Sequence, residues 1–488
     1  MLKIFDSSWL CILAFVIVEF KYKIPLFLAI SMYKSSLHFH FTGIGGVGMS
    51  GLAEVLLHQG FKVSGSDLNF NESCRRLEKL GAVIKTGHSA ENLPPGASLL
   101  VYSSAVRPTN PELVTAHERH IPVIPRAEVL AELMRLKFGI AVAGSHGKTT
   151  TTSFIAHVLE TGNLDPTVVL GGQVKSMGGS GAKLGQGSFL VAESDESDRS
   201  FLLLKPTIAV VTNIDSEHLD AYSSMSELEE AFQSFIDSVP FYGLAVLCTD
   251  DPRIEKIWSW YQKRKVSFGL GPHSDYRAVN VQATPEGMNF DIEKSGQFLM
   301  HATIPMYGRH MVSNSLAAVA VGVELGIAPE MIGKALETFP GVARRLERIG
   351  QEKGVTVLTD YGHHPTEIRA TLGALRQSFQ DQSKDIHVIF QPHRYSRTKS
   401  CFVDFVSSFG DCDNLILTDI YPGSEDPIPG VTSEVLLQAI DHPSKKYIKD
   451  FKDAVSITKV LNDGDIVLCL GAGSIGQLPA LLLEALKK

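Results

Sequence analysis

The segment Gly144-Ser145-His146-Gly147-Lys148-Thr149 holds the groups that a bound triphosphate needs. Glycines let backbone N–H groups turn inward around phosphate oxygens, and a following helix adds the positive end of its dipole. Lys148 supplies a point charge for the outer phosphates, and the Thr149 hydroxyl suits Mg²⁺. The spacing is the short form G-x-x-G-K-T; the longer phosphate-loop pattern asks for glycine at position 142, where Val142 stands. The flanking pattern is the one such a loop requires: an apolar strand from Phe138 enters it and a helical stretch, Thr150 to Leu159, leaves it. Downstream, Glu193, Asp195, Glu196 and Asp198 follow the apolar run Phe189 to Ala192. Clustered acids usually mark a solvated loop, but at the end of a buried strand beyond a phosphate loop they suit a metal ion. His218 closes a third such strand end, in Asn213-Ile214-Asp215-Ser216-Glu217-His218 after Ala209-Val210-Val211. Lone histidines are more often structural, yet strand ends are where parallel sheets place ligands.

Two further groups of residues frame this one. Gly43-Ile44-Gly45-Gly46-Val47-Gly48 is a G-x-G-x-x-G between a strand and a helix, with Asp67 closing the second strand. That is a pyrophosphate-binding turn with an acid placed for a ribose. Alone it equally suits a dinucleotide-dependent oxidoreductase, which leaves the phosphate loop and the acidic cluster unexplained. Toward the C-terminus, Arg344-Arg345, Asp360-Tyr361-Gly362-His363-His364-Pro365-Thr366-Glu367 and Gln391-Pro392-His393-Arg394-Tyr395-Ser396-Arg397 lie beside strand ends. Guanidinium groups offer bidentate donors to phosphate or carboxylate.

The elements that must position these residues read as an α/β protein of three domains. Strands at His38 to Phe41, Lys62 to Gly65, near Val83 and at Leu99 to Tyr102 alternate with helices such as Val47 to His58, a Rossmann-like pattern over 37–137. A P-loop ATPase-like central domain over 138–340 continues through Phe189, Ile208 to Val211 and Leu244 to Cys248. Its alternating residues from Ala278 to Pro305 make the sheet mixed. A second Rossmann-like domain over 341–488 has strands at Val355 to Leu358, Ile386 to Phe390, Leu415 to Leu417 and Ile466 to Leu470. With 488 residues, 44% hydrophobic and 20% charged, several cores are expected. The net charge of −8 argues against nucleic acid and anionic membrane as partners. Six scattered cysteines without C-x-x-C spacing read as reduced thiols in the cytoplasm. Residues 1–36 are an extension set apart by two apolar runs, Trp9 to Phe20 and Ile24 to Ile30, each shorter than a membrane span. Three readings stand for it: translation from Met32, a dispensable extension, or an anchor. No stable membrane insertion is expected.

From about Leu37 to the C-terminus the chain resembles the Mur ligases of bacterial cell-wall synthesis. The opening run Gly43 to Gly51, the loop Gly144 to Thr152, the cluster Glu193 to Asp198 and the segment Asp360 to Glu367 carry the likeness. It implies ATP-dependent coupling of L-alanine to UDP-N-acetylmuramate through an acyl phosphate, the first amino-acid addition to the peptidoglycan precursor. It places Gly43, Gly45, Gly46 and Gly48 on the pyrophosphate, with Asp67, Ser103 and Ser104 on the uridine side. Gly144, Ser145, His146, Gly147, Lys148, Thr149 and Thr150 would hold ATP phosphates. Thr149 and Glu193 would bind a first Mg²⁺, and His218 a second. His310 and Asn314 resemble base contacts, Arg344 or Arg345 would reach the phosphates, and Tyr361, His363, Arg394 and Arg397 would receive alanine. Met311, Thr359 and Ser474 depart from the usual pattern, where asparagine, aspartate and aspartate are common. None of the three touches the implied metal or phosphate ligands.

Overall fold

The computed structural model describes residues 37–103, 105–171, 181–215, 221–379, 384–423 and 425–488. The N-terminal extension with Met32, and the site candidates Ser104 and His218, lie outside the described residues. Two compact units emerge, one ending at Leu133 with a short later stretch ending at Leu184, the other holding the remainder of the chain from Met134.

In the first unit five strands form a parallel sheet in the order Val83–Thr86, Lys62–Asp67, His38–Thr42, Leu99–Tyr102, Val123–Pro125. The strand at Val123 was not expected, being three half-buried residues at an edge. The helix Val47–His58 buries Met49, Leu52, Ala53, Val55 and Leu56, a stripe at helical spacing.

The second unit holds two sheets. The central one runs Gln297–Ile304, Gly287–Lys294, Tyr276–Thr284, Lys265–Gly269, Leu244–Cys248, Ile208–Val211, Phe138–Ala143, Phe189–Glu193, Thr167–Val169. The first three are antiparallel hairpins, as their alternating residues suggest, and the others pair in parallel. The last sheet runs Glu347–Glu352, Val355–Asp360, Ile466–Leu470, Ile386–Phe390, Asn414–Leu417, Lys445–Tyr447, parallel except for its first pair. Its core is split by the pleat. Leu358, Val388, Phe390, Leu468 and Leu470 face one helical layer, while Val357, Ile389, Val467 and Cys469 face another. Strands covered on both faces are apolar nearly throughout, which is why Ile466–Leu470, and Ile386–Phe390 with its one histidine, were legible to the residue. No described helix is long and apolar enough to cross a membrane.

Candidate active site

The strand Phe138–Ala143 lies between Ile208–Val211 and Phe189–Glu193, so three strand ends open onto one edge. The phosphate loop leaves the middle strand. Gly144 (φ 139°) and Gly147 (φ 80°) occupy backbone conformations that side chains resist. A Cβ on Gly144 would lie 2.1 Å from the Thr212 hydroxyl, and one on Gly147 2.6 Å from Asn314 Oδ1. The loop leans on the neighbouring strand end. His146 N donates to Asn213 Oδ1 (2.8 Å), Thr212 Oγ1 donates to the His146 carbonyl (2.7 Å), and Asp215 N donates to Ser145 Oγ (2.8 Å). The helix Lys148–Thr161 then starts from Gly147 with no side-chain cap, leaving its first-turn N–H groups for an anion.

Lys148 Nζ donates to the Gly144 carbonyl (2.6 Å), the Ser145 carbonyl (3.1 Å) and Glu196 Oε1 (2.9 Å). Burial works against its charge, but Glu196 and then Glu193 hold its pKa above the ordinary value. Burial pushes Glu196 up to about 7 despite Lys148. Thr149 Oγ1 donates to Glu193 Oε2 at 2.9 Å, and Gly171 N donates to the same oxygen at 2.8 Å. The two hard oxygen groups thus lie close enough to share one Mg²⁺-sized ion. Glu196 was read only as one acid of a cluster; its spacing carried no sign that it would pair with the lysine.

A cavity of about 350 Å³ opens beside the loop, bordered by His146, Gly147, Thr150, His310, Asn314 and Arg345. Its size suits a nucleoside. His310 is pushed down to about 4 by burial and by the nearby Arg345 charge, so it is neutral at pH 7. Met311 explains one departure in part: its sulfur lies 4.0 Å from Asn314 Nδ2, a weak acceptor for that amide. The two arginines diverge. Arg345 approaches Glu367 (3.5 Å) and the cavity. Arg344 turns to the glycine loop after the last strand, donating to the carbonyls of Gly471 and Gly473. The other departures are packed structurally: Thr359 Oγ1 donates to the Cys469 carbonyl (3.3 Å), and Ser474 Oγ to Gln391 (3.3 Å).

Glu367, unassigned from sequence, is a hub. It accepts from the His363 and His364 backbone N–H groups (3.0 and 3.3 Å) and lies 3.7 Å from His146 Nδ1. Burial alone would raise its pKa; the neighbouring His146 and His363 rings and the Arg345 charge hold it well below the usual range. Ligand-type atoms of His146, Asp215 and His364 fall within 4.8 Å of one another. His364 Nδ1, however, accepts from Thr366 N to cap the helix Pro365–Ser378. That leaves its proton on Nε2 and makes the ring a donor there, not a metal ligand.

The remaining candidates also converge. The His363 ring sits 5.5 Å from Tyr361 and 5.7 Å from His393. Burial and the Arg397 charge depress His363 to about 3, although Glu367 opposes them, and burial with Arg397 and Arg394 depresses His393 to about 4. Arg394 (φ 69°) precedes the short helix Tyr395–Ser400 and packs on Gly423. His393 was quoted in the motif without a role; its apolar strand and flanking arginines were the available signal.

The depressed histidines make a pH prediction. A folded pKa below the unfolded value favours folding at neutral pH, and that advantage is lost as pH falls from about 6.5 toward the folded pKa. Asp360 and Glu196, pushed up by burial to about 6 and 7, act in the opposite sense. The clean quantity is therefore a difference: between pH 7 and pH 5, His363→Gln should lose less stability than the parent, by about 1–2 kcal/mol. Urea unfolding midpoints at the two pH values measure it, and parallel pH responses would contradict the buried neutral ring.

In the first unit, Gly43 (φ 82°) turns the chain so that Gly43 N and Ile44 N donate to the Ser66 carbonyl (2.8 and 3.0 Å). Asp67 Oδ2 accepts from Gly45 N at 2.8 Å, so the acid braces the glycine turn itself. Gly46 precedes the helix without a side-chain cap, and Arg126 lies over Gly48, where a Cβ would be 2.5 Å from its guanidinium. Ser103 Oγ faces Gly43, 3.9 Å from where a Cβ would be.

Comparison with known proteins agrees with this layout. Residues 38–138 match the "Mur ligase family, catalytic domain", 142–322 the "Mur ligase middle domain" and 344–473 the "Mur ligase, glutamate ligase domain". A UDP-N-acetylmuramate–L-alanine ligase of Geobacter sp. (strain M21) is 52% identical over 460 residues, covering 93% of this chain and 99% of that protein. The enzyme of that name from Desulfotalea psychrophila is 51% identical, covering 91% and 97%. The crystal structure of a UDP-N-acetylmuramate-alanine ligase from Thermotoga maritima superposes with a TM-score of 0.79 at 29% identity, covering 92% of this chain and 99% of that one. With matches spanning all three sheets and such identity over nearly its whole length, the chain belongs to the Mur ligase family.

Proposed function

We propose that the protein is an ATP-dependent ligase that joins L-alanine to UDP-N-acetylmuramate, the first amino-acid addition in peptidoglycan precursor synthesis. The observation that carries this reading is the group Lys148, Thr149 and Glu193 at two adjacent strand ends, in a chain half identical to enzymes of that name. A carboxylate is a poor electrophile, so phosphoryl transfer from ATP first makes an acyl phosphate. The alanine amine then attacks, and phosphate leaves. Lys148 and the uncapped helix start hold the outer phosphates as charge builds. Thr149 and Glu193 would hold a Mg²⁺ ion, with His218 at a second, and such an ion offsets charge on the transferred phosphoryl group. His310 and Asn314 line the pocket for the base, and Arg345 approaches the phosphates. Tyr361, His363, Arg394 and Arg397 receive the amino acid; neutral His363 at pH 7 suits a site that must admit a free amine. The first unit's glycine turn takes the UDP moiety. Residues 37–137, 138–340 and 341–488 serve as the UDP-sugar, ATP and amino-acid domains, working in the cytoplasm. Aligning the amine with the acyl phosphate contributes on the order of 7–11 kcal/mol.

Phosphate release with ATP, UDP-N-acetylmuramate and one amino acid at a time tests the assignment. L-alanine should support turnover, and glycine should be poorer by about tenfold or more, the usual worth of one methyl group. Turnover with another amino acid and none with L-alanine would sink it.

A further inference from the structure

Beneath the glycine turn of the first unit lies a carboxylate that the ligase reading leaves without a part. Glu112, in the first turn of the helix Pro111–Glu118, is fully buried. Its Oε2 accepts from Ser66 Oγ (2.7 Å) and Thr42 Oγ1 (2.8 Å), with His40 Nε2 at 3.4 Å. Its Oε1 accepts from Asn92 Nδ2 (2.9 Å) and Ser89 N (3.3 Å). Burial alone would raise its pKa, yet the donors, His40 and Asn92 foremost, hold it at about 2. A buried charge of this kind is stable only when its donors are all in place, and a missing one is felt strongly.

The donors come from two neighbouring strands, at His40, Thr42 and Ser66, and from the loop after the third, toward the C-terminal edge of the parallel sheet. Thr42 precedes Gly43, and Ser66 precedes Asp67. The Ser66 carbonyl receives Gly43 N and Ile44 N, while Asp67 receives Gly45 N. Ser89 and Asn92 belong to the third loop, and His88 Nδ1 hydrogen-bonds Ser66 Oγ at 2.9 Å. One carboxylate therefore ties the glycine turn, the Asp67 loop and the 88–92 loop to a single point.

Resting on the reading that this unit takes the UDP substrate, we propose that Glu112 is a positioning residue for the uridine-diphosphate subsite. It acts through Thr42 and Ser66 and does not touch the substrate. Loosening it lets the turn and the Asp67 loop move independently, which weakens the UDP-sugar and leaves ATP unaffected.

Titration calorimetry on the full chain, with UDP-N-acetylmuramate and ATP as separate probes, tests this. Glu112→Gln should bind UDP-N-acetylmuramate about tenfold more weakly, with ATP affinity unchanged. In turnover, KM for the UDP substrate should rise while kcat at saturation and KM for ATP hold. Equal UDP-N-acetylmuramate affinity in parent and variant overturns the proposal. If Glu112→Gln does not fold, or loses both ligands alike, Ser66→Ala decides. A selective loss of about threefold supports the tie, and none overturns it. A parent that binds no UDP-N-acetylmuramate instead overturns the substrate reading.

Discussion

Lys148→Ala should lower alanine-dependent phosphate release by about 100- to 1,000-fold, with the loss in kcat and not only in KM for ATP. The charge counts most where phosphoryl transfer concentrates negative charge, so ground-state binding suffers less than turnover. The variant should also acquire a pH signature. In the parent, Lys148 Nζ lies 2.9 Å from Glu196, whose carboxyl burial pushes up to about 7. Without the lysine that carboxyl loses its opposing charge and rises further. A carboxyl whose folded pKa exceeds its unfolded value favours folding below about 4.5 and weakens it as pH rises. Lys148→Ala should therefore be relatively more stable at pH 5 than at pH 8 when both are compared with the parent. Release near the parental rate, or matching pH responses, would remove Lys148 from the phosphate site.

Gly144→Ala should destabilise the central domain by about 2–4 kcal/mol, with ATP binding lost in whatever protein folds. The backbone there sits at φ 139°, and the new Cβ would fall 2.1 Å from Thr212 Oγ1 and 3.1 Å from Asn213 N. Two costs combine, a strained backbone and a clash with the hydroxyl that supports the His146 carbonyl. They separate in a double-mutant cycle, because Thr212→Ala removes the clash and leaves the strain. Partial rescue of the urea midpoint by the second substitution is expected. Full additivity of the two losses would show that the clash is relieved some other way.

What the sequence announced and what it withheld follow from where apolar residues stop. Strands such as Phe138–Ala143 and Ile466–Leu470 are covered on both faces, and their uninterrupted apolar residues mark them well. Elsewhere the sheets extend the reading by a residue or two into polar termini: Thr42, Asp67, Glu193 and Asp360 all end strands. Those are the positions that meet the loops of the proposed site, so the apolar pattern fades where that site begins. The strands Glu347–Glu352 and Lys445–Tyr447 escaped because they are polar edges with one neighbour each. Within the site, residues adjacent in sequence came together as expected, as with Lys148 and Thr149. Partners far apart in sequence did not announce themselves: Glu196 to Lys148 and Glu367 to His146. Arg344 and Arg345 stood as alternatives, and Arg345 is the one at the cavity. Which of two neighbouring arginines turns inward depends on φ 58° at Arg344, a conformation that no residue type there foretells.

The support that Thr212, Asn213 and Asp215 give to residues 144–146 bears on how such loops can be moved between proteins. The hexapeptide Gly144 to Thr149 is half of a two-part unit, and the other half lies more than sixty residues later at the tip of the adjacent strand. Grafted alone onto another sheet, the six residues would carry the lysine and threonine but not the scaffold that holds Gly144 and Gly147 in their turns. A graft that also brings the second strand's tip should bind triphosphate. Pattern searches gain from the same coupling, since a hexapeptide followed at the right distance by an apolar strand ending in Thr-Asn-x-Asp is far rarer by chance than the hexapeptide alone.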